Sequence, residues 1–333
     1  MNKTINMKSV LRKLGPLLAL FILSFFLSIA SPNFLTINNV MNILRQTAVN
    51  GFIASGMLVV LITAGIDLSV GANAVLGASV MGMLLSKFSI TNPIILLGAC
   101  IIAGTTVGCI NGLLLTKLRL PHPFVSTLGM KNVLAGLSLF VVSTRTISGF
   151  PDAITWLGST SIFKSGTFSG FPVSFLAMLL VFTGFHLLLN HTALGRTIYC
   201  VGGNIEATRL SGIDTDKILI FVYSLSGFVC AIAGIIIVGR SGVANPSAAI
   251  SPYDTDAIAA CIIGGASFIG GKGTIWGTLI GALIISVIRN GLTLLNAASD
   301  VQFMVIGSVI IAAVFIDVKR SRMEAKARRL AAN

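Results

Sequence analysis

From residue 14 to residue 316 the chain is a succession of apolar runs with almost no charge inside them. A helix that crosses a bilayer needs about 20 mainly apolar residues. Ten stretches approach or meet that requirement: Leu14–Ser31, Gln46–Ile66, Leu68–Ser86, Pro93–Thr116, Leu120–Thr144, Phe171–Asn190, Lys217–Val238, Ala257–Gly271, Thr274–Ile288 and Val301–Ile316. Several are short and broken by glycine. The expected fold is therefore an all-α polytopic membrane protein, one domain over residues 1–333, with about ten transmembrane helices, some of them broken or re-entrant. Of the 333 residues, 55% are hydrophobic and 10% charged. A soluble domain carries about 25% charge, so a water-soluble enzyme of this size is excluded, and so is a disordered chain, which would be poor in apolar residues.

The net charge is +13, and its distribution points to lipid rather than nucleic acid. Lys3, Lys8, Arg12 and Lys13 precede the first run; Lys319, Arg320, Arg322, Lys326, Arg328 and Arg329 follow the last. The tails 1–13 and 317–333 are expected to be cytoplasmic, beside anionic membrane lipid. With both ends inside, ten spans place 16 basic residues on inner segments and six on outer ones, Lys131 falling within a span. That bias is the one the positive-inside rule requires. The first run also has features of a cleavable leader, but an uncleaved span agrees better with the inward carboxyl end.

Chemistry-bearing groups are scarce. Cys100, Cys109, Cys200, Cys230 and Cys261 form no Cys-x-x-Cys pair, and His122, His186 and His191 lack metal-ligand spacing. No metal, cofactor or catalytic group is expected. Gly264–Gly273 has the look of a phosphate loop, but Lys272 is followed by Gly273 rather than Ser or Thr, and Ala266 stands where glycine is needed. It reads as a tight turn, so energy must come from a partner or an ion gradient.

Three features stand out. Asp67 is the first acidic residue and sits between two apolar runs, flanked by Gly65 and Gly71. It reads either as a group on a solute path or as a helix cap. Gly265 and Gly271 repeat the spacing of Gly65 and Gly71 at a shift of 200 residues; such paired breaks in two halves would point to a pathway, or arise by chance. The third is the inner loop 191–216. Within it Asn204–Leu210 reads as a short helix, with Asn204 as N-cap, Glu206 in the first turn and Gly212 as the stop. It is either a docking handle for a partner or a helix lying on lipid.

Together these segments carry a resemblance. Gly-Ile-Asp-Leu-Ser-Val-Gly at 65–71, Gly195-Arg196 through Ala-Thr-Arg-Leu-Ser-Gly-Ile at 207–213, and Asp-Ala-Ile-Ala-Ala at 256–260 with its following glycine run resemble bacterial sugar-uptake ABC permeases of the ribose type, as does Ser-Pro-Asn-Phe-Leu-Thr-Ile-Asn-Asn at 31–39. The resemblance runs through nearly the whole chain in order. It implies a type II-like importer permease in the bacterial inner membrane, moving a monosaccharide by ATP-driven alternating access. The implied partners are a cytoplasmic ATPase, a periplasmic or lipid-anchored binding protein and a second permease copy, identical or a sister subunit. The segment Gly202, Gly203, Asn204, Glu206, Ala207, Arg209 and Gly212 is similar to the coupling motif of such permeases, with Thr208 where that motif prefers alanine. The neutral polar residues Asn73, Asn111, Ser126 and Asn290, with Asp67, are the expected pathway. Asp254-Thr255 and the segment 143–151 depart from the ribose pattern and leave the sugar open. The alternative is a gradient-driven secondary sugar transporter, for which intramembrane carboxylates are few.

Overall fold

The computed structural model describes residues 7–118, 123–166 and 168–332, the side chains of 7–14, 320–322 and 324–332 excepted. Lys3, Arg119 and His122 lie outside the described residues, as do most side chains of the two basic tails. In chain order come α1 (Met7–Ala30), α2 (Ile37–Ile62), α3 (Val70–Phe88), α4 (Pro93–Thr116) and α5 (Pro123–Val141). A small cap follows: β1 (Ile147–Ser148), α6 (Asp152–Ser159), β2 (Ser161–Ile162) and β3 (Phe171–Pro172). Then come α7 (Val173–His191), α8 (Ala193–Gly203), α9 (Ile205–Leu210), α10 (Thr215–Ser241), β4 (Val243–Ala244), α11 (Tyr253–Ile263), α12 (Ile275–Leu294) and α13 (Ser299–Ala332). The two-residue strands pair antiparallel, β1 with β4 and β2 with β3. They mark one end of the bundle, the ribbon end; α8 and α9 mark the other.

Eight helices among the described residues are long and apolar enough to cross a membrane: α2, α3, α4, α5, α7, α10, α12 and the Ser299–Lys319 part of α13. The apolar part of α1, Gly15–Ala30, is shorter. The all-α polytopic expectation holds, but one expected span does not. Ala257–Gly271 is an 11-residue helix, α11, followed by a glycine-rich loop. Eleven residues rise only about 16 Å. The helix starts at Tyr253, ahead of the apolar run, with Asp254 and Asp256 in its first turn, where carboxylates favour the helix dipole, and it stops at Ile263, before the glycines. Ahead of α11, Pro246 and Pro252 bracket a 3₁₀ segment, Pro246–Ile250, that runs beside α3. Two further boundaries move. Helix α2 starts at Ile37, ahead of the apolar run, since Asn39 is satisfied by Asn290 of α12. Helix α13 continues to Ala332, so the basic segment 317–332 is helical.

Helices α2 and α10 form the core. Helix α2 is the most buried of the eight candidate spans and α13 the least. Helix α10 packs on α2, α3, α4 and α6. Its contact with α4 is set by Gly104, Gly108 and Gly112, one helical turn apart. A methyl group at Gly104 would stand 2.8 Å from the Gly227 carbonyl, and one at Gly112 2.7 Å from the Ile220 Cα. Small residues of this kind let two backbones approach where lipid gives no hydrophobic drive between helices.

Candidate functional site

The α9 end is built by a series of caps. Thr192 Oγ1 accepts from the Gly195 N–H at 3.0 Å and opens α8. Asn204, extended at φ −162°, accepts from the Ala207 N–H at 3.0 Å and opens α9. Gly212 takes a φ of +82°, which a side chain would oppose. Asp214 then caps α10; the Lys217 backbone N–H, and next its side chain, hold that carboxyl below the usual range. On α9 itself Arg209 meets Glu206 at 3.4 Å and Asp216 at 3.8 Å, all three open to solvent. Leu210 is 89% exposed. A six-residue helix with exposed charges and an exposed leucine is a surface that a partner can hold. Thr208 is buried and bonds back to the Asn204 carbonyl at 2.8 Å.

This end is fixed to the core. The Gly271 N–H donates to the Ile62 carbonyl at 2.8 Å, and Tyr199 donates its hydroxyl to the Gly273 carbonyl at 2.7 Å. Gly202, the penultimate residue of α8, lies directly on the Ile62 carbonyl and near the Gly271 N–H. A methyl group at Gly270 would meet Ala64 at 2.7 Å. The two glycine breaks expected from the sequence thus meet each other at the end of α2. Gly265 and Gly271 have φ values of +92° and +68°; in the first break the left-handed residue is Ala64, at +61°, and Gly65 instead makes room for the Tyr223 hydroxyl. Gly71 is pressed against Tyr253.

Asp67 lies in the turn ahead of α3, whose N-cap is Ser69. The aspartate is 3% exposed and its Oδ1 accepts from the Ser69 N–H at 2.9 Å and from the Ser69 hydroxyl at 2.6 Å. Asn111 donates to Ser69 Oγ at 2.8 Å, and Thr127 bonds both Ile66 and Leu68. Asn73 donates to the Gly104 carbonyl at 3.1 Å. Asn290 and Asn39 exchange amide hydrogen bonds of 2.7 and 2.9 Å. Ser126 bonds the Pro123 carbonyl one turn back. Of the five expected pathway residues, Asp67 and Asn111 meet through Ser69, while Asn73, Ser126 and Asn290 bond to other partners.

Open space lies elsewhere. A cavity of about 460 Å³ opens between α2, α10, α11 and α12, lined by Gln46, Asn50, Arg240, Tyr253, Asp256, Ser286 and Arg289 among others. Arg289 grips Asp256 with two prongs, Nε at 2.6 Å and Nη2 at 2.7 Å. Two residues earlier, Asp254 is met by Lys131 of α5 at 2.7 Å. The first turn of α11 is thus held by cations from two different helices. Asn50 Oδ1 and Ser286 Oγ are buried and have no hydrogen-bond partner. None of the expected pathway residues lines this cavity. A lone Asn or Ser in an apolar run carries no sign of which way it faces; Asp256 and Arg289, charges inside or beside apolar runs, were the readable signal.

An all-α bundle that spans a membrane, with a polar cavity towards one end and a small charged helix at the other, has the build of a solute permease. Known proteins narrow the kind. The family described as branched-chain amino acid transport system / permease component matches residues 39–314, and the chain belongs to that family. It is 44% identical to the ribose import permease protein RbsC of Bacillus subtilis over 323 residues, 96% of this chain and 97% of that one. It is 41% identical to RbsC of Escherichia coli K12 over 318 residues, 94% and 96% of the two chains. The D-allose transport system permease AlsC of the same organism is 37% identical over 300 residues, 89% and 88%. No solved structure matches.

Proposed function

We propose that the chain is the membrane-spanning permease subunit of an ABC importer in the bacterial inner membrane, carrying ribose or a closely similar monosaccharide. The observation that carries this is identity above 40% to ribose import permeases across nearly the whole chain. The chain contributes passage, and a separate cytoplasmic ATPase contributes hydrolysis. A binding protein delivers the sugar at the ribbon end, and a second permease copy completes the assembly. The segment from Gly202 to Gly212 faces the cytoplasm, as do both termini, in keeping with the excess of basic residues on inner segments. ATP-driven closure of the ATPases grips α9. Because α9 continues from α8, which abuts the end of α2 and the glycine-rich loop, that grip acts differently on two conformations of the bundle and shifts their populations.

The test is uptake of labelled ribose into vesicles holding the permease with its ATPase and binding protein. ATP-dependent accumulation is expected. Accumulation by the permease alone on an ion gradient would make it a secondary transporter, and no accumulation with every partner present would make it a scaffold. Glu206→Lys with Arg209→Glu inverts the exposed charges of α9 while keeping their mutual pair. This variant is expected to lose the ATPase on co-purification at normal membrane yield; retention would remove α9 from the coupling role.

A further inference from the structure

We propose that the cavity between α2, α10, α11 and α12 is a binding site for a neutral polyhydroxylated solute, a monosaccharide, complete within one copy of the chain. It rests on the importer reading and adds a built stopping place for the solute, where the sequence suggests only a series of weakly hydrating asparagines.

Two buried atoms argue for a ligand. Asn50 on α2 is 6% exposed and Ser286 on α12 is 1% exposed. Asn50 and Ser286 both line this cavity, and Asn50 Oδ1 and Ser286 Oγ, buried just behind its surface, have no hydrogen-bond partner. Buried polar atoms are nearly always satisfied, and each exception calls for a reason. Leucine and alanine would have filled these places at no such cost. A solute that enters, bonds these groups and leaves supplies the reason.

The type of group sets the class of ligand. Arg289 already spends two of its prongs on Asp256, so the pair is close to neutral and is no free anion clamp. An anion brings acceptors only and does nothing for Asn50 Oδ1, itself an acceptor. A hydroxyl both donates and accepts, so a polyol can satisfy Asn50 and Ser286 together. The wall is also wrong for a branched apolar side chain: of its 13 residues only Val49, Ile237, Pro252 and Ile285 are apolar. Tyr253 offers a ring face and a hydroxyl, and Arg240 stands exposed at the rim. At about 460 Å³ the cavity is within the range of small-ligand sites, about 300–1,000 Å³, and holds a pentose or hexose with some water. All these residues come from one chain, so the site does not wait on the second copy.

The experiment uses the reconstituted complex of permease, ATPase and binding protein, with labelled D-ribose at saturating binding protein. Asn50→Leu with Ser286→Ala is expected to lower ribose carried per ATP hydrolysed about five- to thirty-fold, the loss of one to two hydrogen bonds. The ATPase still co-purifies, and thermal stability does not fall, because each change deletes a buried atom that had no partner. Independently, Ser251→Cys, at a half-buried position of the same wall, in a background of Cys109→Ser and Cys200→Ser is alkylated by a small maleimide. Ribose at ten times its dissociation constant slows that reaction about tenfold, and leucine does not. Variant flux within about twofold of wild type overturns the proposal, as does a thiol introduced at position 251 that ribose fails to protect or that leucine protects equally. A wild-type complex that carries no ribose would instead overturn the importer reading; intact wild-type flux with unchanged variant flux strikes the cavity alone.

Discussion

Gly202 offers a sharp test of how the α9 end is joined to the core. A Cβ placed there would overlap the Ile62 carbonyl oxygen and stand 2.7 Å from its carbon and 2.8 Å from the Gly271 nitrogen. Ordinary contact begins near 3.4 Å. All three atoms are backbone, so no rotamer change relieves the clash. The end of α8 must back away from α2 by at least 0.7 Å to clear the carbon alone, and farther to clear the oxygen. The Gly271-to-Ile62 hydrogen bond of 2.8 Å lies in the same contact and is stretched by that movement. Overpacking a tight core costs about 1–3 kcal/mol, and a weakened buried hydrogen bond adds about 1 kcal/mol. Gly202→Ala is therefore expected to lose about 2–4 kcal/mol of stability and at least tenfold of ATP-driven uptake, a factor equivalent to about 1.4 kcal/mol. The neighbouring Gly203 is an internal control for packing: nothing lies within 4 Å of its Cβ position, so Gly203→Ala should not lower stability. Thermal unfolding in detergent and vesicle uptake measure the two quantities side by side. Equal stability of the two variants would refute the claim that α8 bears directly on the end of α2.

Three further outcomes are expected. Asp256→Asn leaves the partly buried Arg289 with no counter-charge and should cost up to about 3 kcal/mol, read as a drop in unfolding temperature; Asp256→Met with Arg289→Met should recover most of it, and failure to recover would mean the pair is not the anchor of α11. Asn290→Leu strands the Asn39 amide that it now pairs and should cost about 1–3 kcal/mol, while Asn39→Leu added to it should cost little more; additive losses in the double-mutant cycle would contradict the reciprocal bond. Asn204→Ala removes the cap of α9 and should weaken ATPase co-purification by an amount worth about 1 kcal/mol, which Asn204→Ser should restore; equal retention by both would show that α9 does not depend on its cap.

Hydropathy located the helices whose apolar runs are uninterrupted. Pro93–Thr116 and the body of α7, α10 and α12 stand nearly where it put them. The short α9 and its Asn204 cap were also legible, because capping is a local matter of a few adjacent residues. What failed was anything decided by a distant partner. The run from Ala257 looked like a span because its neighbours Asp254 and Asp256 gave no hint that Lys131 and Arg289 would receive them. The start of α2 was missed because Asn39 reads as a loop residue until Asn290 is beside it. The expected pathway asparagines, like Asn50 and Ser286, are hard to place from sequence because a solitary polar residue in a greasy segment looks alike whether it faces a helix, lipid or an opening.

Helix α2 carries Asn50 in the wall of the cavity and ends at Ile62 under the tip of α8. Twelve residues of continuous helix separate them, about 18 Å at about 1.5 Å per residue. A beam of that length, pivoting at the cavity, converts a tilt of about 10° into about 3 Å of travel at its foot. On the proposed function, the angle of this one helix joins a sugar-sized hollow at one end to the surface offered to a cytoplasmic motor at the other.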